Sequence, residues 1–207
     1  QISRPTGPAL PTTVTVTTLP VDSDGVTLTS AASLGTSLQR FGILRVDNAY
    51  GSELLPLRVT ARTMYCASVV SAACTQWRTN TDDNCTGVSA AMGSLAYGTA
   101  GTPLANANFR ITGTDPNTGA GTTGNWMTAS PLTLTTGTAT IVLNKPCVSP
   151  GCTSAVGSVD LTLDLDLAAM PWLKGSWTSA GAWNQSPTAR LRFGSPKAPY
   201  IYLRERY

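Results

Sequence analysis

This sequence predicts an all-β fold, a mostly antiparallel β-sandwich with long loops. Three observations carry that expectation. Short runs that alternate apolar and polar residues recur along the chain. Gly, Pro, Asn and Asp punctuate them. No amphipathic stretch longer than about ten residues has a helical period.

The elements follow in order. Pro5, Pro8 and Pro11 make residues 1–11 an extended arm. Residues 12–18 then read as a strand with one face wholly threonine, and residues 1–19 together form an N-terminal arm or strand ahead of a single β-sandwich domain over 20–207. Strands are expected over 25–30, 42–47 and 55–64. The nearest approach to a helix is 29–40, one or two turns. The stretch 91–126 is rich in Gly, Asn and Thr, with a strand at 108–112. Residues 132–143 read as a hairpin turning near Gly137.

The strongest alternation spans 158–167. Val159, Leu161, Leu163, Leu165 and Leu167 fall on one face, and Ser158, Asp160, Thr162, Asp164 and Asp166 on the other. A helix would scatter those leucines around its circumference, whereas a strand gathers them on one side. Residues 188–193 and 200–206 supply two more strands. Tyr200, Tyr202 and Tyr207 suggest that the last is inserted into a sheet, because chain ends fray unless tied down.

Composition narrows the chemistry. Charged residues make up 12% of the chain, about half the usual ~25%, and Thr, Ser, Asn and Gly supply the polarity instead. That balance points outside the cytoplasm. The chain has no histidine, so Ser-His-Asp and Cys-His catalysis and His-ligated metal sites are excluded. Net charge is +3 with scattered basic residues, which does not make a nucleic-acid stripe. No apolar run approaches the ~20 residues of a membrane span. Gln1 opens a polar, proline-bearing stretch, as expected if a leader has been removed or the chain is a piece of a longer one.

There are five cysteines. Cys147 and Cys152 flank Val-Ser-Pro-Gly, a turn sequence that can bring two Cβ atoms within bridging range, and Cys66 and Cys74 read as a staple across a hairpin loop. No spacing has the C-x2-C form of a metal site. Two disulfides imply an oxidising compartment. Cys85 is left over, either as a free thiol or as an alternative partner for one of the four.

At residues 41–57, Phe-Gly-Ile-Leu-Arg-Val-Asp-Asn-Ala-Tyr-Gly-Ser-Glu-Leu-Leu-Pro-Leu, the chain resembles the C-terminal region of MshQ-type bacterial surface proteins, which are associated with the mannose-sensitive haemagglutinin type IV pilus. The likeness continues at Asn-Thr-Asp-Asp-Asn-Cys (80–85), Asp-Leu-Asp-Leu (164–167), Pro-Trp-Leu (171–173), Ala-Arg-Leu-Arg-Phe-Gly (189–194) and Ile-Tyr-Leu-Arg-Glu-Arg-Tyr (201–207). The segment between Tyr65 and Trp77 looks like an insertion. The resemblance implies a secreted, pilus-linked protein and carries over no activity. The lectin-like module of longer relatives has no counterpart here, so its sugar binding is not carried over either.

Candidate sites are few. Asp82 and Asp83, and more weakly Asp22 and Asp24, offer oxygen ligands of the kind calcium takes, against the plainer reading of Asp-bearing turns; no other cofactor is expected. Trp172, Trp177 and Trp183 are candidates for sugar stacking, as in a carbohydrate-binding module, against burial in the core. Asp160, Asp164 and Asp166 mimic an acid pair, although alternation alone places them in solvent. Thr12, Val14, Val16 and Thr18 lie on a strand that an arm could donate to a neighbouring sheet.

The function expected is therefore a non-enzymatic extracellular or cell-surface domain with a pilus-associated structural or adhesive role. The alternative is a fibre subunit joined by strand donation. The partners expected are other surface or pilus proteins, or copies of the chain itself, with no nucleic acid and no membrane span.

Overall fold

The computed structural model describes residues 4–19, 21, 23–26, 31–52, 54–89, 92–97, 131–143, 157–177 and 182–194. The strands are β1 (Thr12–Thr18), β2 (Ala32–Gln39), β3 (Gly42–Val46), β4 (Ala49–Gly51), β5 (Leu57–Val70), β6 (Ala73–Thr79), β7 (Gly87–Val88), β8 (Gly93–Tyr97), β9 (Leu132–Thr133), β10 (Thr138–Leu143), β11 (Gly157–Leu163) and β12 (Thr188–Phe193). A 3-10 turn covers Pro171–Leu173. The fold is all-β, as the alternating pattern predicts.

Two four-stranded sheets share one core. The first is built on β5, a strand of 14 residues. Antiparallel β3 runs along one edge, and Met64 pairs with both Ile43 of β3 and Thr79 of β6. That double pairing puts β6 on the opposite edge, in line with β10, which pairs with the first half of β5. The junction between β6 and β10 is closed at Thr63, whose N–H donates to the Gly137 carbonyl at 3.0 Å and whose carbonyl accepts from the Asn80 N–H at 2.8 Å. Gly137 has φ of +72°, and a Cβ there would run into the Asn80 carbonyl. Only glycine fits both demands.

The second sheet has the order β4-β12-β11-β8 and is antiparallel except for the β12–β4 pair. The chain passes between the sheets at Asp47 and Asn48, where the Asn48 side-chain oxygen accepts a hydrogen bond from the Arg190 N–H at 2.7 Å. Leu57, Val59, Ala61 and Ile141 of the first sheet join Leu95, Val159, Leu161, Leu163, Leu191 and Phe193 of the second in one buried cluster. Alternate residues of each strand enter it, which gives the sandwich its apolar interior.

Several expectations are corrected. The helical turns expected over 29–40 are not found among the described residues 31–40: 32–39 are β2, paired antiparallel with β1. Leu34 and Leu38 have helical spacing, but both are exposed, so there was no buried face for a helix to serve. Strand pairing with the Thr- and Val-rich β1 prevails, with Gly35 at φ of +147°. The strand expected over 158–167 stops at Leu163. Asp164 accepts the N–H groups of Asp166 and Leu167 at 2.9 and 3.1 Å, turning the chain, so that Leu165 is buried and Leu167 is 70% exposed. Gly25 and Val26 are not in a strand. The strand expected over 55–64 is longer, because the chain continues through Cys66 to Val70 before turning at Ser71 and Ala72. The expected strands at 108–112 and 200–206, residues 27–30, Asp22, and the Cys147–Cys152 pair lie outside the described residues.

Candidate functional site

β1 and β2 form a ribbon of their own, with no third strand among the described residues. Val14 and Thr18 are half-buried, and every other residue of the two strands is exposed. Neither strand carries a charged residue. A lone two-stranded ribbon is marginal in water. Among the described residues, two arginines on either side of it bond to the sandwich.

Arg4, ahead of β1, donates from Nη1 to the Trp183 carbonyl at 2.8 Å and from Nη2 to the carbonyls of Gly42 at 3.0 Å and Lys174 at 2.6 Å. Its guanidinium lies 4.2 Å from the Phe41 ring centroid. Burial lowers the Arg4 pKa from the ordinary arginine value. The planar fork of donors suits three carbonyls at once, which a lysine ammonium would not match. Phe41 meets Trp183 edge-on, with centroids 5.4 Å apart, and Trp183 lies 5.8 Å from Trp77. The Arg4 site is thus a cation over an aromatic cluster drawn from β6, the start of β3 and the loop before β12.

Arg40, directly after β2, forms the second attachment. Its guanidinium bonds the Asn80 side chain, pairs with Asp82 at 2.5 Å, and lies 4.7 Å over the Tyr65 ring. Arg4 thus holds the ribbon to the start of β3 and the loops carrying Lys174 and Trp183, and Arg40 holds it to the β5–β6 hairpin and the loop after it. That hairpin carries the Cys66–Cys74 disulfide, with Cα atoms 5.8 Å apart, as the sequence predicts. Cys85 is a free, exposed thiol.

The remaining candidates are dispersed. Asp82 pairs with Arg40, whereas Asp83 turns inward and accepts the N–H groups of Cys85 at 3.2 Å and Thr86 at 3.0 Å. Burial pushes the Asp83 carboxyl up, but hydrogen bonds from Thr86, Thr63 and Cys85 together outweigh it and hold the group below its ordinary value. Both carboxylates are engaged in turn and ion-pair roles, and no cluster of three metal-ligating side chains occurs among the described residues.

The three tryptophans do not form one platform. Trp172 is 56% exposed. Trp177 folds over Gly175, with its ring N–H on the Gln185 carbonyl at 3.3 Å. Trp183 joins Phe41 and Trp77. Asp160 is held by Arg190 through two bonds of 2.8 and 3.0 Å, Asp164 caps its turn, and Asp166 pairs with Lys174 at 2.5 Å. Asn48, Ala49, Tyr50, Arg190 and Arg192 line an open depression of about 380 Å³ beside β4.

Sequence reasoning missed Arg4, Arg40, Phe41 and Trp77 as a group. Their partners are far apart in the chain, and a lone arginine beside a turn gives no periodic signal. Thr12, Val14, Val16 and Thr18 do lie on a strand, and its partner is β2 of the same chain.

No curated protein and no solved structure matches the chain. The ribbon ends at Gln39, and from the next residue onward the sequence matches a family known only as a domain of uncharacterised function: residues 40–206 fit the fourth domain of DUF6701, and the chain belongs to that family.

Proposed function

We propose that this chain is a non-enzymatic extracellular domain of a bacterial surface protein, with a structural or attachment role of the pilus-associated kind. The observation that carries this reading is the ribbon. An uncharged two-stranded element is fastened on both sides by Arg4 and Arg40, and among the described residues no third strand pairs with it. Proteins that manage their edges for solubility blunt them with charges, so an uncharged edge fits a contact-making role. The Cys66–Cys74 bridge supports an oxidising location. The MshQ-type resemblance over 40–207 supports the pilus association. Asp160, Asp166 and Asp164, the three aspartates that mimic an acid pair, are engaged by Arg190, Lys174 and backbone N–H groups respectively.

A second reading, a self-associating subunit, is favoured by the same edge. Release of β1 for donation would first break its pairing with β2, so association through the intact ribbon is the simpler form.

The test is labelling of intact cells that carry the full natural protein, with a membrane-impermeant maleimide directed at the Cys85 thiol. Labelling of intact cells, together with loss of attachment or of pilus assembly on deletion of the ribbon, supports the proposal. Labelling only after lysis overturns the location, and normal attachment and assembly without the ribbon overturn the role.

A further inference from the structure

The sequence of β1 reads the same in both directions: Thr12-Thr13-Val14-Thr15-Val16-Thr17-Thr18, centred on Thr15. An antiparallel partner related by a two-fold axis through Thr15 would therefore bring like residues together. Thr12 would face Thr18 of the copy, Thr13 would face Thr17, Val14 would face Val16, and Thr15 would face itself. Each residue keeps its position in the alternation, so groups that point outward from β1 meet groups that point outward from the copy. The main-chain ladder then closes along the whole strand. Threonine pairs and β-branched pairs are favourable cross-strand neighbours, and without charge on either strand nothing repels an identical partner.

We propose that this chain dimerises through β1, edge to edge with β1 of a second copy, forming a four-stranded sheet in the order β2-β1-β1-β2. Among the described residues β1 pairs only with β2, and no described strand occupies its other edge. The dimer also answers the weakness of the isolated ribbon, since four strands are more stable than two. On one face it gathers Val14 and Val16 of both copies into a single apolar patch, and Val16 is 53% exposed in the single chain.

The outer edge of β2 differs. Its register slips where Val16 pairs with Gly35 and Thr17 with Ser33, leaving Leu34 as a bulge. A bulge interrupts the ladder a further strand would need. Association therefore stops at two copies rather than growing into a fibre. This inference deepens the second reading above and rests on the ribbon being a contact element.

The test is size-exclusion chromatography with light scattering over a concentration series, comparing the wild-type chain with Thr15→Lys, which sets two ammonium groups against each other at the axis. The wild-type chain runs at twice the monomer mass and T15K at the monomer mass. Cysteine cross-linking in a Cys85→Ser background provides a second measurement that does not depend on T15K folding. T15C chains join into covalent dimers with a short bismaleimide. T12C chains do not, because their equivalent positions lie about 20 Å apart across the axis. A wild-type monomer at every concentration overturns the proposal, as does an oligomer unchanged by T15K or equal cross-linking of T12C and T15C. Filaments would overturn closure at two copies. Failure here leaves the location on the cell surface untouched, since cell labelling tests that separately.

Discussion

The Arg4 guanidinium stands 4.2 Å over the Phe41 ring and donates to the carbonyl of the next residue, Gly42, so the arm before β1 is joined to the point where the chain re-enters the sandwich. The ribbon is thus an excursion closed at its base by one side chain.

Truncating that side chain leaves three carbonyls without their donor. Arg4→Ala should lower unfolding free energy by about 2–3 kcal/mol, and Arg4→Lys should recover only part of it, since a point charge cannot serve three acceptors in a plane. Denaturant unfolding followed by tryptophan fluorescence measures this directly, with Trp77 and Trp183 as reporters of the cluster. Equal stability of the alanine variant and the wild-type chain would show that the contact adds nothing.

The Cys66–Cys74 bridge closes a short loop at the far end of β5. Replacing both cysteines by serine should cost roughly 2–3 kcal/mol by the loop-closure relation, and a reducing agent should lower the wild-type melting temperature. Cys85→Ser, at an exposed free thiol, should leave the melting temperature within error.

Asp83 gives the fold a pH dependence with a definite sign. Its carboxyl is held below its ordinary value in the folded chain, so its contribution is complete above the unfolded carboxylate pKa near ~3.9 and is lost as pH falls through the lower folded value. Asp83→Asn keeps an oxygen for the Cys85 and Thr86 N–H groups and should flatten the acid limb of a stability–pH curve. Asp82→Asn, at a mostly exposed ion pair, should change stability by less than about 1 kcal/mol. An acid limb identical in Asp83→Asn and wild type would remove Asp83 from this role.

Gly137→Ala sets a methyl group against the Asn80 carbonyl at a backbone angle that alanine disfavours. A loss of more than about 2 kcal/mol is expected, seen as a lower denaturation midpoint. Gly25→Ala has a positive φ but open space, and should cost less.

Much of the sandwich was legible because its strands bury one face. β12 coincides with its expected span, β3 differs by one residue, and the Cys66–Cys74 staple and the turn at Gly137 are where turn chemistry places them, although the strands flanking Gly137 pair with β7 and β5 rather than with each other as a hairpin; β1, outside the sandwich, also coincides with its span. β2 was not legible. It buries neither face, so its pattern carries no period to read, and its strand character comes from β1. Asp164 looked like one more polar position of a strand, yet its side chain bonds the backbone two and three residues on and ends the run. The arginine attachments were hidden for another reason: what Arg4 and Arg40 hold lies at the start of β3, at Lys174, in the loop before β12, on β5 and in the loop after β6, and only the folded topology brings those pieces together.

The placement of Arg4 ahead of the ribbon and Arg40 behind it has a mechanical consequence. Tension entering through residues 1–3 meets the body of the domain at the aromatic cluster, where three hydrogen bonds and a stacked ring are loaded together. The load then bypasses β1 and β2, which lie between these two anchored points. A pull along the chain would leave their hydrogen bonds unstrained until Arg4 gives way.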